Sequence, residues 1–127
     1  MKTFIVALFL LLALGTAQAQ TQTATYNLTW TDNSSNELGF NVERCVGAAC
    51  TAFAQIAQTA VNAVAYADVI LGDPGGVTRC YRLRAFNAAG LSAYSNTACG
   101  TSAVVKVPPD GIPSGASVTV TVVVTVP

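Results

Sequence analysis

Arg79-Cys80-Tyr81-Arg82-Leu83-Arg84-Ala85-Phe86, followed by Asn87-Ala88-Ala89-Gly90, decides how the rest of the chain is read. Tyr81, Leu83 and Ala85 fall on one side of a period-two pattern and Cys80, Arg82 and Arg84 on the other, the signature of a half-buried strand. Residues 87–90 then form a hairpin loop whose glycine accommodates a positive φ, with a return strand expected over about residues 92–99. Upstream, residues 25–31 set Tyr26, Leu28 and Trp30 against Asn27 and Thr29, and residues 39–45 set Phe40 and Val42 against Asn41 and Glu43. Asp32-Asn33-Ser34-Ser35-Asn36 separates these two strands with side chains that satisfy nearby backbone groups. Further short strands are expected at residues 53–58 and 65–70, with a strong turn at Asp73-Pro74-Gly75-Gly76. Short strands at this density predict an all-β sandwich of two antiparallel sheets, with Tyr26, Leu28, Trp30, Phe40, Val42, Tyr81 and Leu83 in its core.

The N-terminus reads differently. Lys2 precedes an uninterrupted apolar run over residues 4–14, and Ala17-Gln18-Ala19 supplies a small-x-small site, so residues 1–19 are expected to be a secretory signal peptide. The run is shorter than the roughly 20 residues a spanning helix needs. Cleavage after Ala19 would leave one domain of modest core, secreted, periplasmic or held at the cell surface, with no membrane insertion afterwards. Its charges nearly cancel: Arg44, Arg79, Arg82, Arg84 and Lys106 stand against Asp32, Glu37, Glu43, Asp68, Asp73 and Asp110. Such a balance offers no basic field for nucleic acid.

Cys45, Cys50, Cys80 and Cys99 all fall in the exported part. Four cysteines in an oxidising compartment imply two disulfides, with three connectivities open. A zinc site would call for close Cys-x-x-Cys pairs, often with histidine, and the chain contains no histidine.

Leu28-Thr29-Trp30-Thr31-Asp32-Asn33-Ser34, Glu37 and Gly39-Phe40-Asn41-Val42-Glu43-Arg44 resemble strands B and C of bacterial fibronectin type III domains. Tyr66-Ala67-Asp68 resembles strand E, and residues 81–90 with Ser92-Ala93-Tyr94-Ser95-Asn96 resemble the F–G hairpin. The resemblance implies a fibronectin type III-like (immunoglobulin-like) sandwich, with C′, C, F and G in one sheet and A, B and E in the other. It places Trp30 against Tyr81 and Leu83, and sets Glu43 near Arg82 or Arg84 on the outer face as an ordinary cross-strand charge pair. It also pairs Cys80 with Cys99 across adjacent strands and leaves Cys45–Cys50 to close a small loop; Cys45–Cys80 with Cys50–Cys99 ranks second.

Two departures from that pattern carry expectations of their own. Arg79 stands where related domains generally place a tyrosine, and its stem is expected to cover the core with its head in solvent. Between the expected cleavage site and Tyr26 only residues 20–25 remain, too few for a strand A and its turn, which leaves strand B with an open edge. The chain meanwhile continues beyond a domain spanning residues 20–107. Residues 101–107 are expected to extend strand G, residues 108–117 read as a linker, and residues 118–127 carry Val118, Val120, Val122, Val124 and Val126 in an uncharged, β-branched tail. The expectation is that this tail takes the open edge of strand B in the same molecule; entry into a neighbouring molecule and a frayed or truncated end are the alternatives.

Without histidine there is no Ser-His-Asp or Cys-His arrangement, and no phosphate or Ca²⁺ loop is present. No catalytic, metal-binding or cofactor-binding residue is therefore assigned. The reading is a non-catalytic extracellular binding, adhesion or spacer module for a protein or carbohydrate ligand, or else a self-assembling subunit that donates its C-terminal strand. Tyr94 and Phe53 are the only aromatic side chains available to a binding surface, and are expected to fill core or groove instead.

Overall fold

The computed structural model describes residues 22–105 and 117–125. The expected signal peptide (1–19), nearly all of the expected linker (108–117), Lys106, Val107, Val126 and Pro127 lie outside the described residues. Eight strands and no helix occur among them: β1 Gln22–Thr29, β2 Gly39–Val46, β3 Ala54–Gln58, β4 Ala65–Asp73, β5 Thr78–Asn87, β6 Gly90–Leu91, β7 Ala98–Thr101 and β8 Ser117–Val123. They form a three-stranded sheet of order β4-β1-β8 and a five-stranded sheet of order β3-β2-β5-β6, with β7 also on β5. Two sheets built from alternating strands bury their inner faces against each other, so the molecule is an all-β sandwich.

Tyr26 and Leu28 of β1, Phe40 and Val42 of β2, and Tyr81 and Leu83 of β5 are buried, joined by Trp30 just beyond β1, by Val122 of β8 and by Val124 just beyond it. Trp30 meets Phe40 edge to face at 5.6 Å between ring centroids, and Tyr26 meets Tyr81 at 5.7 Å. Strand β1 starts at Gln22 rather than near Thr25, so the residues ahead of Tyr26 lengthen this strand instead of forming a separate one.

β8 occupies the side of β1 opposite β4 and runs parallel to it, with Ala24 beside Val118, Tyr26 beside Val120 and Leu28 beside Val122. Val118 and Val120 are half-buried, whereas Thr119, Thr121 and Val123 face outward. A notch in β7 admits the tail: a Cβ on Gly100 would lie 2.5 Å from Val122 Cγ2 and 2.7 Å from Val120 Cγ1.

The return from β5 is not the continuous strand expected over residues 92–99. β6 ends at Leu91 and β7 begins at Ala98, because serine hydroxyls replace main-chain partners between them. Ala85 N donates to Ser92 Oγ and Leu83 N to Ser95 Oγ, both at 2.9 Å, while Ser92 N and Ser95 N donate back to the carbonyls of Ala85 and Leu83. Nor does strand β7 extend through residues 101–107. It stops at Thr101, since Ser102 turns inward to bond Asp73 and Val77.

Arg79 also departs from expectation, because its head is buried rather than solvated. It donates to the Asp73 carboxylate and, at 2.7 Å, to the Tyr26 hydroxyl, which in turn donates to Val77 O at 2.8 Å. A second, partly buried pair ties the two sheets: Arg44 Nη1 donates to both Asp68 oxygens at 3.0 and 2.8 Å, and the Tyr81 hydroxyl donates to Asp68 at 2.7 Å. Burial, reinforced by the Asp68 carboxylate, pushes the Tyr81 phenol well above its usual range.

Candidate functional site

The outer face of the five-stranded sheet concentrates the polar and aromatic side chains. Register alone sets up its rows: Asn41 of β2 lies between Gln58 of β3 and Arg84 of β5, and Glu43 between Gln55 and Arg82. Gln58 Nε2 donates to Asn41 Oδ1 at 2.9 Å, which holds the first row flat against the sheet.

Glu43 is only 5% exposed, and three donors surround its carboxylate. Arg82 approaches at 2.7–2.8 Å through Nη2 and Nε, the Tyr94 hydroxyl donates at 3.1 Å, and Arg84 Nη2 stands off at 3.5 Å. The arginines are held from the other side by rings: the Arg82 guanidinium lies 4.1 Å from the Phe53 centroid and 3.7 Å from that of Tyr94, with Arg84 4.5 Å from Tyr94. Phe53 and Tyr94 are thus neither core nor simple groove fillers. They interleave with two cations on an outer surface, where a desolvated cation–π contact contributes about 0.5–2 kcal/mol.

The charge on this face does not balance. Among the described residues Arg44 is paired with Asp68, Arg79 with Asp73 and Arg82 with Glu43, all in close contact. Arg84 has only the longer approach to an already satisfied Glu43, and its buried Nε has no hydrogen-bond partner. Its side chain is 25% exposed, so the surplus positive charge reaches solvent beside Tyr94.

An open cavity of about 240 Å³ lies at the end of the sandwich between residues 34–37 and the β5–β6 hairpin. Phe86 and its cross-strand neighbour Leu91 form its apolar part, with Asn36, Asn87 and Ser92 at the rim. Phe86 packs there because its partner Gly39 has no side chain; a Cβ on Gly39 would sit 3.0 Å from the Phe86 ring and 2.0 Å from Thr59 O. Glu37, also lining the cavity, is held below the ordinary carboxylate range by its own backbone amide, by Ser34 and by the Asn62 amide.

At the other end of the face the cysteines form the disulfides Cys45–Cys50 and Cys80–Cys99. The sulfurs of Cys45, Cys50 and Cys80 lie within 4.8 Å of one another, but each is engaged in a disulfide and none is a thiolate ligand. These bonds point to an oxidising, extracytoplasmic environment. No helix among the described residues is long and apolar enough to cross a membrane.

Little of this grouping is visible in the residue order. Alternation places Arg82 and Arg84 outward together, but Phe53 precedes β3 and Tyr94 lies in the break between β6 and β7, so no periodic signal assigns either to the face. Comparison of the chain with protein-family models, with curated proteins and with solved structures returned no match.

Proposed function

We propose that the chain is an exported, non-catalytic binding module of fibronectin type III kind whose recognition face is the outer surface around Arg84, Tyr94 and Asn41, and that its ligand is an acidic polysaccharide. The sheet order supports the family reading, because β1 and β4 share one sheet while β3, β2, β5 and the β6–β7 return share the other. Export rests on the apolar N-terminus with its small-x-small site and on the two disulfides.

The observation that carries the ligand class is the unbalanced Arg84. A guanidinium braced on an aromatic ring, a quarter exposed and only 3.5 Å from a carboxylate already held by Arg82, suits a carboxylate or sulfate on the ligand. The exposed side-chain amide of Gln58, held in the same row by Asn41, suits sugar hydroxyls.

Affinity electrophoresis through gels containing polygalacturonate or neutral dextran tests this reading. Retardation is expected in the acidic gel alone, weakening as salt is raised. Arg84→Gln is expected to weaken binding about tenfold, the scale of one hydrogen bond to a charged group, with an unchanged melting temperature. Equal mobility of wild type and variant in both gels would contradict it. A second reading, a subunit that donates its C-terminal strand to a neighbour, is favoured by one feature: β8 is an edge strand with no charge or proline to block further pairing.

A further inference from the structure

The two disulfides are not independent crosslinks. Cys45 lies directly across from Cys80 in the β2–β5 ladder, and Cys80 directly across from Cys99 in the β5–β7 ladder. Three cysteines therefore stand in a row on three adjacent strands, spaced by the strand separation of about 4.8 Å. The inner two, Cys45 and Cys80, are buried, whereas Cys50 is half-buried in the loop after β2 and Cys99 is exposed. The Cys45 and Cys80 sulfurs lie within 4.8 Å although no bond joins them.

We propose that these four cysteines form a single thiol–disulfide exchange site, at which an external dithiol converts the pair Cys45–Cys50 and Cys80–Cys99 into one Cys45–Cys80 disulfide with thiols at Cys50 and Cys99. The dithiol attacks Cys50 Sγ, Cys45 leaves as a thiolate, and the dithiol closes to its own disulfide, releasing Cys50 as a thiol. Two electrons and one proton have then passed to the protein, and the dithiol's second proton has passed to solvent, from which Cys99 later recovers it. The Cys45 thiolate next attacks Cys80 Sγ; the Cys45–Cys80 bond forms, the Cys80–Cys99 bond breaks, and Cys99 leaves as a thiolate that takes up a proton. This second step is redox-neutral. Because β5 lies between β2 and β7, Cys45 approaches Cys80 from the side away from Cys99, the direction that displacement at sulfur requires.

Entry at the other exposed end gives the same product. Attack on Cys99 releases Cys80, which attacks Cys45 and expels Cys50. Both routes leave a buried staple between β2 and β5 and place free thiols where solvent and a partner's thiol or disulfide reach them.

The Cys50→Ser variant isolates the internal step, because it leaves the Cys45 thiol beside an intact Cys80–Cys99 bond. Native alkylation with iodoacetamide followed by peptide mapping is expected to label Cys99 in about a tenth or more of the molecules, with a matching Cys45–Cys80 peptide pair, since both bonds join directly opposed residues. Label confined to Cys45, with less than about a tenth at Cys99, overturns the proposal. The same mapping of wild-type protein treated with one equivalent of dithiothreitol does not depend on the variant folding. There the half-reduced pool is expected to carry label on Cys50 and Cys99 together. Label only on the pairs Cys45/Cys50 or Cys80/Cys99 overturns the proposal independently.

Discussion

Asp73→Ala is expected to destabilise the protein by about 3–5 kcal/mol, the range for removing one partner of a buried ion pair and leaving the other charge uncompensated. Asp73 has no exposed surface, and both of its carboxylate oxygens are hydrogen-bonded. Oδ1 accepts Gly75 N and Ser102 Oγ, each at 2.7 Å, and Oδ2 accepts Arg79. Through Ser102 the network reaches Val77 N, and through Arg79 it reaches Tyr26. One carboxylate therefore pins the β4–β5 turn, the end of β7 and the start of the core. Urea denaturation at pH 7 measures the loss; a cost below about 1 kcal/mol would mean that Arg79 finds water or another partner.

The same group sets an acid limb. Burial pushes the Asp73 carboxyl up, but Ser102, the Gly75 amide and Arg79 together outweigh it and hold the group below its ordinary value of 3.8. A carboxylate whose folded pKa is depressed stabilises the fold above its unfolded pKa and loses that contribution as pH falls through the folded value. Wild-type stability is accordingly expected to drop below about pH 4. The gap between wild type and Asp73→Asn is expected to narrow over that window. A gap that stays constant from pH 7 to pH 2 would contradict the assignment.

Gly100→Val is expected to drive β8 off the sheet. Its Cβ would overlap methyl groups of Val120 and Val122 at once. Neither valine can swing aside cheaply, because β-branching stiffens χ1. Overpacking of this kind costs about 1–3 kcal/mol. Losing β8 would expose Val122 and Val124, worth about 1.5 kcal/mol each as an upper estimate. Hydrogen exchange should show amides of residues 118–124 becoming unprotected while Leu83 and Val42 amides in the central strands stay protected. Full protection of the tail in the variant would mean that β8 is not seated on β7.

The particular residues show what alternation can and cannot convey. Period-two patterning is enough to group Tyr81 with Leu83 and Arg82 with Arg84, because side-chain direction in a strand is local. The two-sheet, all-β architecture was legible in that pattern together with the turn chemistry, whereas the pairing of the two disulfides followed only from the family resemblance. Arg79 was misread because its acceptor comes from topology: Asp73 reaches it only when β4 and β5 are joined by the tight turn at Gly75 and Gly76. The break in the return strand was hidden for a related reason. Ser92 and Ser95 look like ordinary strand residues until their hydroxyls are seen accepting the amides of Ala85 and Leu83. An open edge and a spare β-branched tail suggest each other, yet nothing in Val118 to Val124 encodes that β8 runs parallel to β1. The Arg82–Tyr94–Arg84 grouping is the least legible feature, since Tyr94 reaches the face from an irregular segment.

A self-contained module and a strand-donating subunit differ in one observable, the mass of the oxidised protein prepared without residues 1–19 as its concentration is raised. Light scattering behind size exclusion over a hundredfold concentration range is expected to give a monomer throughout, because β8 already occupies the edge of its own β1. A ladder of oligomers that grows with concentration and disappears when residues 118–127 are deleted would contradict that account and make strand donation the function.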